Sequence, residues 1–123
     1  MRALTITTEP DWKSALRAAG KRAETGVKTG EYQGETLNFE TPGAFFSRLT
    51  ERRWQMLDAL LGSGTVGVRE LARRLGRDVK RVHEDAAALI ELGLIEKNER
   101  GQLNCPFENI HVDMVMASPR KVA

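Results

Sequence analysis

The stretch Val68–Lys97, VRELARRLGRDVKRVHEDAAALIELGLIEK, holds two short amphipathic patterns split by Gly76. In the first, Val68, Leu71, Ala72 and Leu75 recur at helical spacing and Gly76 ends the run. In the second, Val79, Val82, Ala86, Leu89 and Ile90 form an apolar face, with Asp78 placed to cap its start and Gly93 to end it. Neither pattern is long enough to be stable as an isolated helix. Joined by Gly76 and Arg77, they predict a helix-turn-helix. The second helix opens with Lys80 and Arg81, at the end where its own dipole disfavours positive charge. A negative group outside the protein would explain that placement.

Working outward, LIEKN and QLNC after the second helix predict two strands joined through Glu99, Arg100 and Gly101, a small hairpin. On the N-terminal side SGTVG is expected to be a loop. Before it Thr50 caps ERRWQMLDALLG, in which Trp54, Leu57 and Leu61 recur along one face and Gly62 marks the end. Met56 and Leu60 are apolar too, which makes this helix central. Thr41 and Pro42 start a shorter helix through Phe45, Phe46 and Leu49. Helix, helix, turn, helix, hairpin is the order of a winged helix-turn-helix. The expected fold class is therefore α+β, mainly helical, with a hairpin wing and an N-terminal strand-helix extension.

In that extension ALTIT, residues 3–7, alternates as a short strand. Thr8 is expected to cap a helix with Pro10 in its first turn. This helix would carry Trp12, Leu16 and Ala19 on one face and Lys13, Arg17, Lys21 and Arg22 on the other, fading between Gly20 and Gly26. GVKTGEYQGE is expected to be an exposed loop or hinge, and TLNFE a second strand pairing with the first. Near the other end NIHVDMVM alternates, with Ile110, Val112, Met114 and Met116 on one side, as a third strand or a dimer contact; ASPRKVA is expected to fray. The expected division is an arm over 1–40, a winged helix over 41–116 and a tail over 117–123.

With 123 residues, 41% hydrophobic and 29% charged, the chain fits a globular domain that can bury a core without staples. Nineteen Lys and Arg against seventeen Asp and Glu give only +2, so attraction to a polyanion must come from local clustering. The single cysteine, Cys105, precludes an intramolecular disulfide or a multi-cysteine zinc site. MRALTITTEPDWK lacks the apolar run of a secretion signal and no stretch approaches a membrane span, so the expected location is the cytoplasm.

On a helix entering a DNA major groove by its N-terminal half, the side chains left free by the core are Lys80, Arg81, His83, Glu84 and, one turn on, Ala87. Lys and Arg suit guanine O6 and N7, and Ala87 a thymine methyl. Arg69, Arg73 and Arg77 are expected on phosphates, and Arg100 in a minor groove or on a phosphate. The competing reading is a solvated face of i, i+4 pairs, Lys80 with Glu84 and Arg81 with Asp85; in both, base precedes acid, the weaker orientation. His83, Glu84 and Asp85 are consecutive on a helix and cannot converge on one atom, so they form no triad. His83 and His111 lack further ligands at metal spacing, Cys105 has no histidine partner, and there is no phosphate-cradling glycine loop. No enzyme, metal or cofactor is expected.

LTERRWQMLDALL, VRELARRLGRDVKRVHEDAAALIELGLIEK and CPFENIHVD together resemble a family of small prokaryotic winged-helix DNA-binding proteins, often encoded as the antitoxin-like partner of a TumE-type toxin. The specific part covers about residues 45–114. More distantly, the helix-turn-helix is similar to those of MarR-like and ArsR-like repressors. The resemblance implies major-groove contacts by Arg77, Lys80, Arg81, His83 and Glu84, a wing contact by Arg100, and a phosphate contact by Arg53, the basic residue after Leu49 and Thr50. It further implies double-stranded DNA as partner, a homodimer acting as autorepressor, and a toxin held by the segment through Glu40. The alternative from another class is a protein-interaction module, with the winged helix as scaffold and the Ile110–Met116 edge adding to a partner's sheet.

Overall fold

The computed structural model describes residues 2–29 and 34–116. The order is β1 (Ala3–Thr7), α1 (Trp12–Thr29), β2 (Glu35–Asn38), α2 (Pro42–Arg48), α3 (Glu51–Leu60), α4 (Val68–Leu75), α5 (Val79–Glu91), β3 (Glu96–Lys97), β4 (Leu103–Asn104) and β5 (Asn109–Asp113). The chain divides into two compact units. Among the described residues, one is Phe46–Asn109 with Arg2 and Ala3, and the other is Leu4–Phe45 with Ile110–Met116. This differs from the expected division, in which the winged helix runs on to residue 116: β5 joins β1 and β2 in one sheet of order β2-β1-β5, and Ile110–Asp113 groups with the arm. The expected tail, 117–123, and residues 30–33 of the expected loop lie outside the described residues.

The first unit is the winged helix. Thr50 caps α3 as expected, its Oγ1 accepting the Arg53 N–H at 3.4 Å. The buried face of α3 is Met56, Leu57 and Leu60, not Trp54, Leu57 and Leu61. Trp54 stands 38% exposed and Leu61 has already left the helix as its C-terminal cap, so the stripe is rotated toward Met56. Leu71 and Ala72 of α4, Val82, Ala86 and Leu89 of α5, and Leu94, Ile95, Leu103 and Phe107 beyond complete the core. Full burial of each large apolar side chain here contributes about 1.5–3 kcal/mol.

The wing is the expected hairpin, β3 antiparallel to β4 with Glu96 opposite Asn104 and Lys97 opposite Leu103. The segment expected to be a plain loop before α4 supplies a third rung, because Val66 and Leu103 exchange both backbone hydrogen bonds at 2.8 Å. Val66 is only 3% exposed, which explains an apolar residue amid SGTVG. Arg2 lies over the Phe107 ring at 4.9 Å, while the Glu108 N–H donates to the Arg2 carbonyl at 2.7 Å.

In the second unit β1 buries Leu4 and Ile6 on alternate positions and pairs parallel with β2, Leu4 opposite Glu35 through Thr7 opposite Asn38. A parallel pair needs a long crossover, and α1 supplies it. Its cap is Asp11 rather than Thr8: Oδ1 accepts from the Lys13 N–H at 3.0 Å and Oδ2 from the Ser14 hydroxyl at 2.8 Å. The helix does not fade at Gly20 to Gly26 but continues to Thr29. Nor is Leu16 covered as the expected stripe requires; it stands 60% exposed. Eighteen helical residues extend about 27 Å, well beyond strands of four or five residues. Thr41 caps α2 as expected, and Phe45 packs edge-on against Phe39, ring centroids 5.6 Å apart.

Candidate nucleic-acid interface

The geometry of the helix-turn-helix is set at Gly76. It adopts φ 64° and ψ 37°, its N–H donating to the Arg73 carbonyl while the Arg77 N–H reaches back to that of Ala72. These two bonds close α4 in a Schellman turn, which a left-handed residue makes possible and glycine adopts without a Cβ penalty. The chain then extends through Asp78 into α5. Asp78 holds the N-cap position with φ −63° and ψ 134°, but its side chain accepts no capping bond, contrary to expectation.

The first turn of α5 contains no acid. Val82, Ala86 and Leu89 face the core, which turns Lys80, Arg81, His83, Glu84 and Ala87 outward, all exposed. Neither alternative i, i+4 pair forms. Among the described residues Lys80 and Arg81 have no ion-pair partner, and Asp85 is engaged elsewhere. The positive end of the helix dipole and two cations therefore share one exposed surface.

Asp85 instead joins three elements. Its Oδ1 accepts from Arg53 Nε on α3 at 3.0 Å, and its Oδ2 from Arg77 Nη2 in the turn. The side chains of Arg53, Asp85 and Arg77 are 23%, 16% and 13% exposed. Burial by itself raises the Asp85 carboxyl, but the hydrogen bonds and charges of Arg77 and Arg53 together outweigh it and hold it below its ordinary value. Arg53 also donates through Nη1 to the Arg48 carbonyl at 2.9 Å, whereas Arg77 Nη1 is buried without a hydrogen-bond partner. These arginines, both expected on phosphates, thus sit in an internal network. The signal was available in the sequence: Arg53 continues the Met56, Leu57, Leu60 stripe of α3, and Asp85 flanks the Val82, Ala86, Leu89 stripe of α5.

Arg69 and Arg73 lie on the exposed side of α4. Arg73 makes two bonds to Glu70, from Nε at 3.0 Å and Nη2 at 2.6 Å, and Arg74 Nε adds a third at 2.9 Å. The hydrogen bonds from Arg73 and then Arg74 keep the Glu70 carboxyl below its ordinary value. The Arg73 side chain is nevertheless 74% exposed, free to exchange this partner for another anion. At the wing tip, Asn98 Oδ1 accepts from the N–H groups of Arg100 and Gln102 at 3.0 and 2.9 Å, and Gly101 at φ 78° completes the reversal. Arg100 projects from this tip, exposed. Cys105 is half-buried, and burial pushes its thiol up, away from the reactive thiolate.

The sequence family described as HVO_A0114 matches residues 48–112, more than half of the chain. The chain belongs to this family. The HVO_A0114 match runs from the end of α2 through α3, the helix-turn-helix and the wing into β5. Among solved structures, the multiple antibiotic-resistance repressor MarR from Listeria monocytogenes 4b F2365 is similar at 17% identity and a TM-score of 0.42. The likeness covers 76% of this chain and 55% of that one, so this chain spans about half the length of the repressor. No curated protein matches. Among the described residues no helix is long and apolar enough to cross a membrane.

Proposed function

We propose that this protein is a sequence-specific, double-stranded-DNA-binding transcriptional regulator that inserts the N-terminal half of α5 into a major groove. The observation that carries this reading is the exposed, unpaired pair Lys80 and Arg81 at the acid-free start of α5. In this reading Lys80 and Arg81 contact guanine acceptors or phosphates, while His83, Glu84 and Ala87 complete the base-reading face. Arg69 and Arg73 approach phosphates along α4, and Arg100 does so from the wing. Arg53 and Arg77 act one step back, fixing through Asp85 the angle at which α5 is presented.

A protein of this kind works as a dimer on two half-sites about one helical turn apart, in the cytoplasm, by occupying the promoter of its own gene. The role of antitoxin-like partner to a small toxin rests on the family resemblance alone, with the segment through Glu40, outside the DNA reader, as the toxin-binding part.

Fluorescence anisotropy of the protein on duplex from its own upstream region, against a scrambled duplex at low and physiological salt, tests the reading. Tight binding to the first alone is expected. K80A/R81A should weaken it and flatten the dependence of log K on log salt by about 0.9 for each phosphate no longer neutralised. Equal, salt-sensitive binding to both duplexes, or none, would overturn it and leave α5 a charged face on a protein-interaction module.

A further inference from the structure

We propose that the outer edge of β5 is a self-association surface, pairing antiparallel with β5 of a second copy of this chain in a single register centred on Val112. This deepens the dimeric part of the reading above and does not depend on DNA recognition by α5.

In the order β2-β1-β5 the strand β5 has β1 on one side, and its other side is unpaired among the described residues. Such an edge presents a row of backbone donors and acceptors, and monomeric proteins usually guard it with lysine, proline or a bulge. The segment Asn109–Met116, NIHVDMVM, contains neither lysine nor proline. Its alternation is regular. Ile110, Val112 and Met114 share one face and are half-buried within a single copy, while His111 and Asp113 share the other and are exposed. Just beyond them Val115 is 75% and Met116 98% exposed.

Charge complementarity selects both the occupant and the register. With the two-fold axis at Val112, His111 lies opposite the partner's Asp113, and Asp113 opposite the partner's His111. On the other face Ile110 meets the partner's Met114 and Val112 meets its own copy. The imidazole donates to the facing carboxylate whether neutral or charged, so each dimer gains two equivalent pairs. Centring on His111 would set histidine against histidine, and centring on Asp113 would set aspartate against aspartate. A centre between residues would bring the apolar face of one strand beside the polar face of the other. The segment is thus complementary to itself in one antiparallel register, which joins three strands from each copy into a continuous sheet.

Sedimentation equilibrium of the full chain without DNA, over a concentration series, tests this independently of the anisotropy measurement. The wild-type protein should be a dimer. H111D places aspartate opposite aspartate twice per dimer and should raise the dissociation constant about tenfold or more. H111D/D113K, which restores opposite charges with reversed sign, should bring it back near the wild-type value. Both side chains are exposed, and far-UV circular dichroism verifies that the variants remain folded. A wild-type monomer throughout, a dimer indifferent to H111D, or a weakened dimer that the second substitution fails to rescue would each overturn the proposal.

Discussion

Asp85→Asn tests whether the Arg53–Asp85–Arg77 network holds the helix-turn-helix together. The carboxylate accepts a hydrogen bond from each arginine, and hydrogen bonds to charged groups contribute roughly 1.5–3 kcal/mol apiece. Asparagine keeps the shape but presents its amide N–H groups to one guanidinium, and leaves Arg77, 13% exposed and already short of a partner at Nη1, as an uncompensated charge. Removing the carboxylate's own desolvation offsets part of the loss, so the net destabilisation should be about 3 kcal/mol at neutral pH. Urea denaturation followed by far-UV circular dichroism measures it. The pH dependence supplies an internal control. Because the folded-state carboxyl lies below its ordinary value of 3.8, its contribution is fully present above that value and is lost as pH falls through the lowered one. The gap between wild type and D85N should therefore be level from neutral pH down to about pH 5 and close below pH 4. A gap under about 0.5 kcal/mol at neutral pH, or one that persists undiminished in acid, would refute the reasoning.

Arg73 and Arg77 separate recognition from architecture. R73A, at a side chain 74% exposed, should weaken DNA binding while leaving the urea midpoint essentially unchanged, whereas R77A should cost about 2–3 kcal/mol in the same denaturation assay. At Gly76 nothing lies within 4 Å of an added Cβ, so G76A should cost only the left-handed backbone penalty, about 1–2 kcal/mol. A neutral G76A would mean that the turn can close without φ 64°.

Local chemistry was enough to place most elements. The Thr50 and Thr41 caps, the glycine stops at Gly62, Gly76 and Gly93, and the alternation of residues 3–7 each depend on neighbours within a few positions, and the structure follows them. The outward set Lys80, Arg81, His83, Glu84 and Ala87 was equally legible, because a helix with one apolar stripe has only one other side to offer. Three features needed the assembled chain. Asp85 looked like an i, i+4 partner of Arg81, yet α3 and the turn bring it Arg53 and Arg77 in a drier setting where the pairing is stronger. Val66 looked like a loop residue until Leu103 offered both its backbone groups. The strand β5 fitted either a third strand or a dimer contact by its alternation, and only the sheet order shows it beside β1 with one edge open. Capping and periodicity are short-range and survive in the sequence; ion pairs and strand order depend on which distant segments meet, and packing alone decides that.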